Sequence, residues 1–274
     1  TNHHILSDGW SSPIIFGEFI TNYQSLVHDE IPVTTNQKDD YKDYITYLSK
    51  KDRFETLSYW KNHLSNLESP TLLPFLDVSE KHNTTFGNTN MVLSKGKDYV
   101  LKLEKFAKDN HLTINTIVQG IWSYLLSQYT NNETVAFGTV ISGRPTELKE
   151  VETRVGLYIN TIPLCTTLDG NKDIISWLTQ LQKAYTASRE EYGHSSLADI
   201  QKQSAVGRDL FDSLLVFENY PLESIKSVDS DLGIDNIQMK QQNNYALTVS
   251  VNHISNHNIH VTCEYNSEVL SNTI

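Results

Sequence analysis

The sequence predicts an α+β fold, a mixed α/β sandwich. Two observations carry that expectation: helical spacing and β-branched, aromatic runs alternate along the chain, and the chain ends on strands spaced as an antiparallel pair. With 274 residues, 38% of them hydrophobic and 10% aromatic, there is apolar material for one large domain or two moderate ones.

The chain opens on His3-His4-Ile5-Leu6-Ser7-Asp8-Gly9-Trp10-Ser11. Ser12-Pro13 then supplies an N-cap and a proline at the first helical position. Ile15, Phe16, Phe19, Ile20, Tyr23, Leu26 and Val27 form one apolar stripe, which predicts a helix over 13–28. Segment 29–40 is polar, contains Pro32 and reads as a loop. Tyr41–Leu48 is expected to be helical. A further helix should run from Asp52 to about Leu67, with Phe54, Leu57, Tyr59, Trp60, Leu64 and Leu67 spaced for burial along one side. Pro70 and Pro74 break that pattern, and 68–88 is rich in polar and turn residues. A domain boundary is therefore expected near 76, giving segments 1–75 and 76–274.

Downstream, Asn90–Leu93 reads as a short strand and Asp98–Asn110 as a helix. Thr113–Gln128 should be a helix buried on most sides, because Ile114, Ile117, Val118, Ile121, Trp122, Leu125 and Leu126 leave little polar surface. Val135–Ser142 and Leu157–Leu168 read as strands joined through Gly143-Arg144-Pro145. Asp173–Glu191 is a long helix. Asp212–Phe217, Ile237–Gln241, Tyr245–His253 and Asn258–Tyr265 complete the strands, the last two linked as a hairpin across 255–257.

The net charge of −11, with no dense basic block, opposes affinity for nucleic-acid phosphates. The two cysteines, Cys165 and Cys263, lie far apart without zinc spacing, which disfavours a disulfide framework and a structural metal and fits a reducing cytoplasm. No apolar run approaches the roughly 20 residues of a membrane span, and residues 1–12 have neither part of a signal peptide. A soluble protein with no membrane or nucleic-acid partner is expected.

The opening strip carries the chemistry. Gly9 permits a backbone turn closed to other residues, and ahead of a helix it can aim its N–H at a developing oxyanion. Histidine as a residue type titrates near neutrality, so an imidazole in this strip can take a proton from an attacking amine or hydroxyl, which makes His4 the candidate base. Asp8 is better read as structural, through an internal ion pair, because a buried carboxylate without a partner is costly. Against this, adjacent histidines are more often surface or hydrogen-bonded residues than catalysts. A His4/Asp8 metal pair lacks third and fourth ligands. No Gly-x-Ser-x-Gly elbow or phosphate loop is present, which leaves acyl transfer without a covalent enzyme intermediate as the best chemical reading.

His3-His4-x-x-x-Asp8-Gly9-Trp10-Ser11 resembles the HHxxxDG signature of condensation domains of nonribosomal peptide synthetases. Tyr41-Lys42-Asp43-Tyr44 is similar to the family's Tyr-x-Asp-Tyr element, and Ser142-Gly143-Arg144-Pro145 with Val155–Leu164 resembles its next signature. The segment from Leu210 to Pro221 extends the likeness, so ordered matches run from the start to about 265.

The resemblance implies chloramphenicol-acetyltransferase-like lobes, with 1–75 as the end of the first lobe and 76–274 as the C-terminal lobe. It implies amide formation between an acyl or peptidyl thioester and an aminoacyl thioester, both borne on phosphopantetheine arms of donor and acceptor carrier proteins beside an adenylation domain. The domain itself would bind no cofactor. His4 would be the catalytic imidazole, His3 its support, the Gly9 amide an oxyanion donor and Trp10 a wall of the site. Ser142, Arg144 and Asn160 would lie near the substrate channel. By themselves, Arg144 reads as a solvent-facing loop residue and Asn160 as an amide satisfying neighbouring backbone. His194, in a short element that departs from the family's commoner form, receives no firm role. Asp8 is expected to find its ion-pair partner upstream, and the segment alone is expected to be inactive. An epimerization domain and a non-catalytic docking platform are the alternatives. The Asp8-Gly9-Trp10-Ser11 order disfavours the former, and the intact histidine pair disfavours both the latter and heterocyclization, where aspartates replace the histidines.

Overall fold

A computed structural model of the chain describes residues 3–32, 41–75, 91–207, 209–218, 245–254 and 258–265. These divide into two compact units. The first comprises 3–32, 41–51 and 142–159, and the second the remaining described residues. The boundary expected near 76 lies outside the described residues. Division by compactness is also discontinuous in sequence, because the connection 142–159 between two adjacent strands belongs to the first unit.

The second unit is built on a six-stranded mixed sheet of order β1-β6-β5-β4-β2-β3. Its strands are β1 (Met91–Lys95), β2 (Thr134–Ile141), β3 (Asn160–Thr167), β4 (Ser213–Glu218), β5 (Leu247–Ile254) and β6 (Asn258–Tyr265). β4 runs parallel to both β2 and β5, whereas β2–β3, β5–β6 and β1–β6 are antiparallel. The expected final hairpin is present, with Ile254 opposite Asn258. The strand expected at Ile237–Gln241 lies outside the described residues.

Period-two alternation places Val135, Phe137, Ile162, Leu164, Leu215, Val249 and Val251 on one face of this sheet, and all are buried. The unit's helices are α3 (Arg53–His63), α4 (Lys97–Asp109), α5 (Ile114–Thr130), α6 (Ile174–Glu190) and α7 (Leu197–Gln201). α3, α5, α6 and α7 each begin on a residue whose side-chain oxygen accepts an orphan backbone N–H: Asp52, Thr113, Asp173 and Ser196. Two burial expectations need correction. Phe54 is 85% exposed, since it lies in the first turn of α3 on the side away from the buried Trp60. In α5, Ile121 and Leu125 are exposed while Thr116, Gln119 and Ser123 are buried, so the helix has one outward apolar face instead of burial on most sides.

β3 also starts later than expected. Leu157–Ile159 leave the ladder, which begins at the Ile141–Asn160 pair, because the Tyr158 N–H donates to the Asp8 carboxylate.

The first unit holds α1 (Ser11–Val27), α2 (Tyr41–Ser49) and the 142–159 connection, which contains a 3-10 turn at Val151–Thr153. α1 begins two residues before the expected Pro13. Asp8 Oδ1 accepts from the Ser11 N–H at 3.0 Å and starts the helix, and Pro13 is tolerated in the first turn, where backbone N–H groups have no intrahelical partner. Ile20 is the buried member of the α1 stripe, whereas Phe19 is 60% and Leu26 62% exposed. The unit's core is Tyr44, Val151 and Tyr158, with Tyr41, Tyr47, Leu48 and Leu148 packed on it.

Candidate functional site

Asp8 is the centre of the first unit. Its side chain is fully buried, and Oδ1 accepts from the Ser11 N–H (3.0 Å), Ser11 Oγ (2.8 Å) and the Arg144 guanidinium (3.0 Å). Oδ2 accepts from the Tyr158 N–H at 3.0 Å. Four donors on one carboxylate make a charged group tolerable in the interior.

Arg144 is correspondingly not a solvent-facing loop residue: its side chain is 4% exposed. Besides Asp8 it donates to the carbonyls of Val151 and Arg154, and its guanidinium carbon lies 4.3 Å from the centre of the Tyr158 ring. The ion-pair partner expected upstream of Asp8 is thus supplied from within the chain, 136 residues away. Gly143 makes the approach possible. It sits at φ +59° beside the Tyr158 carbonyl, where a Cβ would collide.

An aromatic cluster backs this pair. The Tyr158 ring contacts Tyr44 at 4.8 Å and Tyr41 at 5.4 Å, and Tyr41 OH donates to the Leu157 carbonyl at 2.6 Å. Burial, reinforced by the neighbouring phenols and the Asp8 charge, pushes the Tyr44 phenol up to about 12, and burial with Asp8 raises Tyr41. Both rings stay neutral and serve as packing. Asp43 in the same helix pairs with Arg154 at 3.2 Å, tying α2 to the 142–159 connection.

His3 and His4 lie at the exposed end of this frame. His4 Nδ1 is 2.9 Å from the Ser7 carbonyl. A carbonyl only accepts, so Nδ1 carries the proton, and Nε2 of the neutral ring is the acceptor nitrogen. His3 holds the opposite pattern, its Nδ1 accepting from the Ile5 N–H at 3.2 Å, while its carbonyl accepts from the Leu6 N–H at 3.0 Å. In its neutral form such an exposed ring, held beside a fixed turn, offers Nε2 to a proton from an incoming nucleophile.

The remaining expected residues take other places. Gly9 is not in the left-handed region, since Gly143 and Gly207 are the described glycines with positive φ, so its turn does not demand glycine conformationally. Trp10 is half-buried and caps α1 in helical conformation, and Ser142 is exposed. In the second unit, Asn160 is committed to backbone: its amide donates to the carbonyls of Gly193 (2.8 Å) and Ser195 (2.6 Å), and its Oδ1 accepts from the Thr161 N–H. His194, in the loop so held, has Nε2 3.1 Å from Thr56 Oγ1. Among the described residues no three His, Cys, Asp or Glu side chains are grouped to hold a metal, and no helix is long and apolar enough to cross a membrane.

Sequence reasoning missed Ser11, Gly156 and Tyr158. Ser11 was legible in principle, because a hydroxyl three residues after an aspartate at a helix start has capping spacing. The backbone of Gly156 and Tyr158 carries no such local signal.

Comparison with known proteins identifies relatives of the chain. The profile of a family described as Condensation domain matches residues 1–273. Bacitracin synthase 3 of Bacillus licheniformis is 37% identical over 256 residues, which are 91% of this chain and 4% of that protein. Tyrocidine synthase 2 of Brevibacillus parabrevis is 35% identical over 254 residues, 91% of this chain and 7% of that protein. The chain therefore spans less than a tenth of these relatives' length. Among solved structures, the X-domain from teicoplanin biosynthesis matches 98% of this chain and 64% of its own, with a TM-score of 0.77 at 14% identity. The first condensation domain of the calcium-dependent antibiotic synthetase, in complex with a substrate analogue, matches 98% of this chain and 60% of its own, with a TM-score of 0.73 at 15% identity. The epimerization domain from the third module of tyrocidine synthetase B matches 98% of this chain and 63% of its own, with a TM-score of 0.69 at 16% identity. These likenesses bear out the mixed α/β, chloramphenicol-acetyltransferase-like fold expected from the sequence.

Proposed function

Because this chain belongs to the condensation-domain family, we propose that it forms amide bonds between carrier-bound thioesters in a nonribosomal peptide synthetase. The observation that carries the reading is the state of His4: an exposed imidazole, protonated on Nδ1 by its bond to Ser7, adjoining a turn locked by the Asp8–Arg144 pair.

In the reaction, the free amine of an aminoacyl group attacks the thioester carbon of the donor. The C–N bond forms, the carbonyl becomes an oxyanion, and collapse breaks the C–S bond. His4 Nε2 takes the proton the amine loses and can return it to the departing thiolate. An α-amine with pKa about 8 is already partly neutral at cellular pH, so holding it in line also contributes to the rate. The Gly9 N–H is the proposed donor to the oxyanion. Both substrates would arrive on phosphopantetheine arms of carrier proteins, with an adenylation domain as neighbour. In this reading His3 supports His4 and Trp10 forms a wall of the site.

We further propose that residues 1–75 are the end of a first lobe that continues upstream, and that the 274 residues need that lobe for activity. The exposed apolar stripe of α1 supports this, since Phe19 and Leu26 would be buried by a covering segment. The second reading is epimerization, in which a carrier-bound α-carbon inverts without amide formation, and the fold is common to both activities.

His4→Ala in the complete synthetase tests the proposal. Supplied with ATP and the twenty amino acids, with products followed by mass spectrometry, the variant should lose the peptide bond at this module while still binding carrier proteins. Its unfolding midpoint should not move, because the ring is exposed. Undiminished peptide release would overturn the catalytic role, and chiral analysis of accumulated intermediates separates epimerization from condensation.

A further inference from the structure

We propose that Ser11 is a positioning residue: its hydroxyl, closed between Asp8 and Gly156, holds the turn whose Ser7 carbonyl keeps His4 protonated on Nδ1. Ser11 is fully buried. Its Oγ lies 2.8 Å from Asp8 Oδ1 and 3.0 Å from the Gly156 carbonyl, and it accepts from the Gly156 N–H at 3.1 Å. The Asp8 N–H also donates to the Gly156 carbonyl, at 3.2 Å. One hydroxyl thus links both polar groups of Gly156 to Oδ1 of the Asp8 carboxylate, across 145 residues of chain.

An ordinary helix cap would satisfy the backbone of its own first turn and nothing more. This hydroxyl instead closes a ring in which each member constrains the others. Its single proton is shared between two acceptors, and each acceptor already receives another donor: the Ser11 N–H at Asp8 Oδ1 and the Asp8 N–H at Gly156. Removing the hydroxyl leaves the Gly156 N–H without this acceptor and loosens Asp8 from the 155–158 segment. Ser7 precedes Asp8 directly, so its carbonyl moves with the turn. That carbonyl holds the His4 proton on Nδ1, and a shift of about 1 Å turns a 2.9 Å bond into none. The tautomer then relaxes toward Nε2–H, and the acceptor nitrogen turns from Nε2 to Nδ1.

The tautomer claim stands on geometry, whereas its kinetic consequence rests on the proposed condensation activity. Histidine labelled with 15N in the 274-residue chain reports the first. At about pH 8, above the ordinary histidine range, the wild type should show His4 chiefly as the Nδ1–H form. Ser11→Ala should shift it toward Nε2–H, and Ser11→Thr, which retains the hydroxyl, should restore it. A wild-type ring chiefly protonated on Nε2, or an Ala variant with an unchanged ring, overturns the proposal. Should Ser11→Ala not fold, Ser11→Cys, close in volume and a weak donor, is read by the same criteria. In the complete synthetase, assayed as for His4→Ala, Ser11→Ala should lower kcat about tenfold or more with KM unchanged, and Ser11→Thr should recover it. A tautomer shift without a loss of amide formation instead overturns the assignment of His4 as base and leaves Ser11 as the group that sets its ring.

Discussion

Breaking the Asp8–Arg144 pair from one side should cost far more than removing it from both. The Asp8 side chain is fully buried and that of Arg144 is 4% exposed, so water cannot solvate whichever charge is left behind. In Asp8→Asn the shape survives but the chemistry does not. The amide oxygen can still accept at the Oδ1 position, but the amide nitrogen then meets the Tyr158 N–H, donor against donor, and the guanidinium keeps its charge without a counter-ion. Truncating one member of a buried pair costs about 3–5 kcal/mol. Arg144→Met leaves the Asp8 carboxylate with three donors, two from Ser11 and one from Tyr158, and so falls at the lower end of that range. The double variant removes both charges and should be more stable than the sum of the singles by about 2 kcal/mol or more. Urea unfolding of the four proteins, followed by tryptophan fluorescence and circular dichroism, measures this. With a slope of about 3 kcal/mol per molar, each single change should lower the midpoint by about 1 M. Additive effects within about 0.5 kcal/mol, or an Asn variant within about 1 kcal/mol of wild type, would refute the argument that this carboxylate holds the unit together.

Two other perturbations test the frame around the site. Gly143→Ala places a Cβ against the Tyr158 carbonyl at a φ of +59°, and should destabilise the chain by about 2 kcal/mol or more in the same urea assay, against about zero for Gly170→Ala, where a Cβ meets nothing. His63 packs on the rings of Tyr59 and Trp60, and burial lowers its pKa from 6.5 to about 4. The neutral ring is therefore the folded form, and the unfolded chain binds the extra proton between those two values. Stability should be fully present above pH 6.5 and fall by up to about 3 kcal/mol toward pH 4, and His63→Phe should flatten that part of the pH–stability curve.

The elements that sequence reasoning placed well are those whose signal is local. α2, α4 and α6 announce themselves by apolar spacing, α6 also by the Asp173 cap, and β5 and β6 by their β-branched and aromatic runs. Three features it misplaced depend on partners distant in sequence or outside the element itself. The start of α1 is set by a side chain before the helix, the loss of Leu157–Ile159 from β3 by a carboxylate 150 residues earlier, and the burial of Arg144 by that same group. Each of these three traces to Asp8, the residue whose interactions no window of sequence contains. That concentration has a physical reading. A locally consistent sequence departs from local rules where a buried charge must be satisfied, and satisfying it draws in whatever donors the fold can bring.

The same residue explains why the signature strip is a strip at all. His4 contributes nothing to packing, and its ring is held by the Ser7 carbonyl, yet its place is fixed because Asp8, four residues on, is pinned by donors from α1 and from the 142–159 connection. An exposed imidazole on a free loop would lose orientation to conformational entropy. Tied to a turn that a buried ion pair and three further hydrogen bonds define, the ring keeps one direction, which the proposed transfer would require of the group that handles the proton. The three-residue interval between His4 and Asp8 follows from this arrangement: it allows one residue, Ser7, to return a carbonyl to the ring while its neighbour descends into the core.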